Sequence, residues 1–189
     1  MKKIKVMIGL AVMMLMVAAC SENSNSDGDI ETVDKLFQRI KASYKGNYMA
    51  TNNTMHPLNF TIDNQANVVV DQFPMNLILA KLYPDEYSMI IPTATSTALK
   101  APIKGFNLDS TLNFIEFSTD VDQTELVDFT FTKDEEEHTG WAQVHVVGVY
   151  NIYTSTMTIQ FSVTDLVIDN QDMQSMTPIH YFVDSALKE

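Results

Sequence analysis

From residue 126 onward the chain alternates apolar and polar residues with a period of two, and this pattern constrains the fold more than any other feature. Met157, Ile159, Phe161 and Val163 alternate with Thr158, Gln160, Ser162 and Thr164, and Val127, Phe129 and Phe131 alternate with Asp128, Thr130 and Thr132. Successive side chains of a strand point to opposite faces, so this is the pattern of an antiparallel sheet with one buried and one wet face. Residues 112–118, 126–133, 141–150 and 154–163 are four strand-length runs, and 179–183 is expected as a closing edge strand. Upstream, Leu58, Phe60 and Ile62 alternate with Asn59, Thr61 and Asp63. Asn64-Gln65-Ala66-Asn67 then reads as a turn before Val68, Val69 and Val70. Residues 46–51 are expected as the first strand.

One helix precedes the strands. Val33, Leu36, Phe37 and Ile40 fall at i, i+3, i+4 and i+7, with Tyr44 one turn on and Gly46 soon after the end. A second short helix is expected to start at Pro74 and bury Met75, Ile78, Leu79 and Leu82, since proline suits a first helical position. Residues 83–101 read as irregular, punctuated by Pro84, Pro92 and then Pro102. The expected fold is mainly β: an antiparallel β-sandwich or a curved sheet or partial barrel, with the N-terminal helix and the second short helix packed on it.

The N-terminus has a different character. Lys2, Lys3 and Lys5 are followed by an uncharged apolar run from Val6 to Val17, then by small residues and the sole cysteine, Cys20. That run is too short for the roughly 20 residues of a membrane span and has the form of a secretory signal peptide. Val17-Ala18-Ala19-Cys20 resembles the lipobox of bacterial lipoproteins, which implies cleavage before Cys20 and a diacylglyceryl group on its sulfur. The expected organisation is a signal peptide over 1–19, a lipidated tether over 20–31 and a single β-rich domain over 32–189. The mature chain would then have no free thiol and no disulfide, so packing alone must stabilise it. The polar tether (SENSNSDGDIE) begins with Ser21 and Glu22, in keeping with export to the outer membrane; its serine-plus-acidic start fits surface display less fully.

The chain resembles lipoproteins of about this length from gut Bacteroidota, grouped as a domain of unknown function. The lipobox carries the resemblance together with three further stretches. These are the segment from Leu36 to Gly46 (LFQRIKASYKG), the Gln72-Phe73-Pro74 turn, and the ending Thr177-Pro178-Ile179-His180-Tyr181. The resemblance implies class and compartment, the cell envelope, and carries no activity.

Three of the 12 basic residues precede Cys20, leaving nine against 24 acidic ones, a formal charge of −15 for the mature chain. Nucleic acid selects clustered Lys and Arg, so it is excluded as a partner. The overall balance also argues against docking on anionic lipid through a basic face. No phosphate loop, nucleophile elbow, HExxH or CxxC occurs, so neither catalytic residue nor cofactor is assigned. His56, His138, His145 and His180 are scattered without ligand spacing, and Asp120, Asp122 and Thr124 fail as a calcium loop because Glu125 stands where glycine is needed; no metal is expected. His145 is placed to pair with a carboxylate across the sheet. Asp134-Glu135-Glu136-Glu137 reads as a solvated hairpin loop. Trp141, Tyr150 and Tyr153 are candidate ligand-contact aromatics, with core packing the competing fate for Trp141. Asp109-Ser110-Thr111 and Asp184-Ser185-Ala186 resemble the O-glycosylation motif of exported Bacteroidota proteins, making Ser110 and Ser185 candidate acceptors.

The expected role is an envelope-anchored, non-catalytic binding module. It would be held to the membrane through lipid on Cys20 and would take a glycan or an envelope protein through loops over 83–101, 134–137 and 170–176. A structural subunit of a surface assembly, fimbrillin-like and completed by a donated strand, is the alternative, and a hydrolase a distant third.

Overall fold

A computed structural model describes residues 33–50, 53–119 and 126–189. They belong to one compact unit, Glu31–Glu189. The expected signal peptide and tether, with Cys20, lie outside the described residues.

The chain opens with α1 (Val33–Ile40) and passes through one residue into β1 (Ala42–Met49), β2 (Met55–Ile62) and β3 (Asn67–Val70). Next come α2 (Asn76–Leu82), α3 (Tyr87–Ile90), a 3-10 turn (Ile91–Thr93), β4 (Thr95–Ser96) and β5 (Leu99–Leu108). The second half comprises β6 (Phe114–Thr119), β7 (Leu126–Lys133), β8 (Glu136–Asn151), β9 (Thr156–Ile168), β10 (Gln171–Asp172) and β11 (Ile179–Lys188). The fold is mainly β, and its sheet closes. In the order β1, β2, β3, β5, β6, β8, β9, β11 each strand pairs antiparallel with the next, and β11 pairs back onto β1. This is an eight-stranded up-and-down barrel. The first half of β8 runs beyond it and carries β7 and β4 as a side sheet.

Several expectations shift accordingly. The run 179–183 is not an edge: β11 continues to Lys188 and has β9 on one side and β1 on the other. Gly46 does not end the helix. It lies inside β1, where a Cβ would overlap Val183 Cγ1 and meet Ala186 Cβ at 3.0 Å, so glycine serves the close approach of β11. The first strand therefore starts at Ala42. The second helix begins two residues after Pro74, with Met75 at its N-cap position. The segment 83–101 contains α3, β4 and the start of β5, and Pro102 sits within β5 opposite Asn67.

Eight strands leave an interior that side chains just fill or that holds one small ligand. Here aromatic rings occupy it from end to end. Tyr44 stacks on Phe60 with centroids 5.0 Å apart, Phe60 meets Phe161 at 6.0 Å, and Phe161 meets Phe73 at 6.2 Å. Phe73 then meets Tyr181 at 5.0 Å, and Tyr181 meets Tyr48 at 5.1 Å. A buried tyrosine needs a partner for its hydroxyl. Tyr44 donates to the Ile40 carbonyl at 2.5 Å, and Tyr181 to the Pro74 carbonyl at 2.6 Å. The same rings that fill the barrel thus fasten the two segments that cover its ends, α1 below and the lead-in to α2 above. At the lower end Leu36 and Ile40 are buried, and half-buried Phe37 packs on Phe106 at 6.0 Å.

Candidate functional site

The two ends of the barrel are built differently. Strands β1, β3, β6 and β9 begin at the end covered by α1, and β2, β5, β8 and β11 finish there. Among the described residues this base holds α1, the turns 63–66, 109–113 and 152–155, and the C-terminus beside them. The opposite rim carries every long connection: 50–54, 71–98 with α2, α3 and β4, 120–135 with β7, and 169–178 with β10.

Side chains from three rim connections converge on the tip of the β7–β8 hairpin. The turn there is Asp134-Glu135, both at positive φ (53° and 68°), while Glu136 and Glu137 already belong to β8, so half of the acidic run is strand. Lys133 pairs with Asp134 at 2.6 Å and with Glu86, from the turn before α3, at 3.4 Å. Its ammonium also lies 5.8 Å from the Tyr83 ring centroid, and Tyr83 packs on Phe131. On the neighbouring strand His138 stacks on Phe131 and bonds through Nδ1 to Asp169 Oδ2 at 2.6 Å, while Asp169 Oδ1 accepts the Thr139 N–H. Asp169 lies in a two-residue turn with Asn170, both left-handed.

The electrostatics follow from these pairings. The His138 bond, with the Thr139 N–H, holds the Asp169 carboxyl below its ordinary range. Lys133 does the same for Asp134, and Asp134 in turn raises the Lys133 ammonium. Burial, aided by Asp169 and Glu86 and opposed by Lys133, pushes the Tyr83 hydroxyl up. Beside this cluster a cleft of about 280 Å³ opens between the lead-in to α2 and the 91–96 segment. Gln72, Pro74, Asn76 and Ser96 line it; Ser96 Oγ donates to the Phe73 carbonyl at 2.7 Å, and Asn76 Nδ2 to Tyr87 at 3.2 Å. The arrangement offers hydrogen-bonding side chains and apolar faces, with no nucleophile beside a base.

No protein-family model, curated protein or solved structure matches the chain. The site is therefore read from its own chemistry.

The candidate aromatics are not brought together. Tyr150 points into the barrel with 4% of its surface exposed and sits edge-on to Tyr44, so it faces no surface ligand. Trp141 is half-buried on the outer face of β8, opposite Asp128 and Val167, on the other side of the sheet from His138 and Phe131. Tyr153 lies in the turn beyond β8, whose end at Asn151 is roughly 33 Å along the strand from Trp141 at about 3.3 Å per residue. Ser110 and Ser185 are both exposed. Ser110 sits in the β5–β6 turn, and Ser185, at φ 55°, sits in the β11 bulge with its hydroxyl bonded to Asp184. His145 bonds the Thr119 carbonyl at 3.2 Å and not a carboxylate.

One serine does touch a histidine: Ser162 Oγ lies 2.9 Å from His180 Nδ1 on the barrel wall. Ser162 is nearly buried and also takes the Gln160 amide, and among the described residues no carboxylate orients the ring. The described residues include no group of three metal-ligating side chains fit to hold an ion. Sequence reading missed the His138–Asp169 and Lys133–Glu86 pairs, since neither has a local signature; the adjacent acidic and turn residues were the only signal.

Proposed function

We propose that this chain is an envelope lipoprotein, anchored through a lipid on Cys20, whose loop-bearing rim is a non-catalytic binding surface. The observation that carries the reading is the opposition of the two ends. The chain enters α1 at the base, and the long connections lie at the opposite end. Loops on a rigid scaffold are where binding residues concentrate. A glycan or an envelope protein is the partner class, and residence in the outer membrane and kinship with Bacteroidota lipoproteins belong to the same proposal. O-glycans on Ser110 and Ser185 would lie away from the rim.

The fimbrillin-like alternative draws less support. Strand donation needs an open edge, and closure removes the barrel's edges. The side sheet is guarded as well. Thr95 and Ser96 pair with Thr130 and Phe129, Thr97 N–H donates to the Asp128 carbonyl, and Thr93 Oγ1 accepts the Thr132 N–H.

Two measurements test the reading. Cys20→Ala should move the protein from the detergent to the aqueous phase in Triton X-114. On glycan arrays and against envelope proteins, binding should saturate and weaken at least tenfold in Tyr83→Ala, with Lys45→Ala at the base unaffected. Hydrolysis of a glycan, ester or peptide that is lost on one Asp or Glu substitution with folding intact would refute it.

A further inference from the structure

The cleft of about 280 Å³ between the lead-in to α2 and the 91–96 segment has walls of two kinds. Gln72, Asn76 and Ser96 are polar, and Pro74, Ile91 and Ala94 are apolar. We propose that this cleft takes one neutral sugar residue, the end unit of a glycan. The inference rests on the reading of the rim as a binding surface and names the ligand class that one part of it takes.

The walls are fixed before any ligand arrives. The Ser96 hydroxyl donates to the Phe73 carbonyl at 2.7 Å and so joins the two walls directly. Tyr181, from the barrel interior, donates to the Pro74 carbonyl at 2.6 Å, and Phe73 and Met75, both buried, anchor the lead-in in the core. Asn76 Nδ2 donates to the Tyr87 hydroxyl at 3.2 Å and links α2 to α3. A cleft held in this way loses little conformational freedom on binding.

The same bonds leave the polar groups partly unused. A carboxamide offers two N–H donors and an acceptor oxygen. Asn76 spends one donor on Tyr87, and the exposed Gln72 side chain has no partner among the described residues. The Ser96 oxygen has given its proton to Phe73 and still accepts. Sugar hydroxyls donate and accept at once, so they match side chains that present both functions together, whereas a carboxylate only accepts and an ammonium only donates. The apolar wall gives the C–H face of the ring a surface to lie on, while the few polar groups set its orientation.

Size and charge narrow the class. Ligand sites run from roughly 300 to 1,000 Å³, so a cleft at the bottom of that range holds one small unit and not an extended chain. None of the described lining residues is charged. Among the described residues the one charged side chain next in sequence to the lining is Asp71, beside Gln72. Lys133 is paired with Asp134 and Glu86, and Lys81 stands in the last turn of α2 whereas Asn76 opens the first. An acidic sugar or a peptide carboxylate would therefore meet no cation in the cleft and one carboxylate at its edge. A ligand ammonium would find Asp71 alone, exposed and screened by water.

Saturation-transfer NMR on the full-length lipidated protein, in micelles of a detergent without a sugar headgroup, tests the inference. The probes are galactose, glucose, mannose and N-acetylglucosamine, with glucuronic acid and N-acetylneuraminic acid as charged counterparts. At least one neutral probe should give a saturable signal, and neither acid should. Ala94→Phe, which fills the cleft, should abolish that signal. Gln72→Ala, at an exposed position, should weaken binding about two- to tenfold, as expected for one neutral hydrogen bond. Asn76→Asp keeps an acceptor for the Tyr87 hydroxyl but loses the amide donors, and should weaken binding by a similar factor. Circular-dichroism melts identify any variant that does not fold. Neutral-sugar binding that survives both Ala94→Phe and Gln72→Ala in folded protein would overturn the cleft as the site. Acids that bind as tightly as the neutral probes would overturn the ligand class. Silence from every probe, while an envelope protein still binds in a Tyr83-dependent manner, would overturn this inference and leave the rim reading intact. A chain that binds neither sugars, longer glycans nor envelope proteins would overturn both.

Discussion

Adding one methyl group at Gly46 should open the seam that closes the barrel. A Cβ there would overlap Val183 Cγ1 and press on Ala186 Cβ, and both residues are fully buried on β11. Neither neighbour can swing into water, so the strands must part or the side chains must leave their rotamers. Overpacking of this kind costs about 1–3 kcal/mol. Replacing glycine by alanine within an unstrained strand would by itself favour folding by roughly 0.5–1 kcal/mol through reduced backbone entropy. The net expectation for Gly46→Ala is therefore a loss of about 1–2 kcal/mol in urea melts followed by circular dichroism. For a domain of this size that corresponds to a fall of roughly 2–8 °C in Tm. Val183→Ala alone removes two carbons and leaves a void, at about 2 kcal/mol. In the double variant the new methyl occupies part of that void, so the losses should fall short of additivity by about 1–2 kcal/mol. Partial opening would also expose the edges of β1 and β11, visible as concentration-dependent association in size-exclusion chromatography. A Gly46→Ala protein as stable as the parent, or strictly additive losses, would refute the account of barrel closure.

Two further perturbations probe the base. Ile40→Ala should cost about 2–5 kcal/mol because the side chain is wholly enclosed, whereas half-buried Phe37→Ala should cost about 1–3 kcal/mol; the reverse order in urea melts would mean that α1 is seated on the other side of its stripe. The Asp109 carboxyl is held down to about 2, first by the Thr111 hydroxyl and then by the N–H groups of Phe114, Asn113 and Thr111. A depressed carboxyl stabilises above its unfolded value, about 3.9, and that contribution disappears as pH falls from there toward 2. Carboxyl NMR titration should find the Asp109 midpoint near 2, and Asp109→Asn should flatten the acid sensitivity of the melts in that window; an Asp109 midpoint near 4 would exclude the bonded turn.

Much of the architecture could be read from periodicity. The run 126–133 is β7 as read, and the turn before Val68 is the turn that Asp63 ties by accepting the Gln65 and Asn67 N–H groups. Alternation is a local property of a half-buried strand, so it survives in one dimension. Strand ends were harder to read. β8 begins five residues before Trp141 because Glu136 and Glu137 pair with Lys133 and Thr132 in spite of their charge. β9 runs on to Ile168 across a bulge that breaks its alternation.

The sequence by itself determined that the described chain is antiparallel sheet with a helix before it, because burial of one face imposes a period that composition cannot hide. It also determined the sites of the tight turns, since few residues tolerate what a turn requires. Only the tertiary structure decided that the sheet closes into a barrel, that Tyr150 faces inward, and that His138 meets Asp169 across 31 positions of chain. Closure depends on the pairing of β11 with β1, an agreement in register and curvature between opposite ends of the sequence. It places the tight turns at one end and the long connections at the other, and no local pattern encodes a relation of that range.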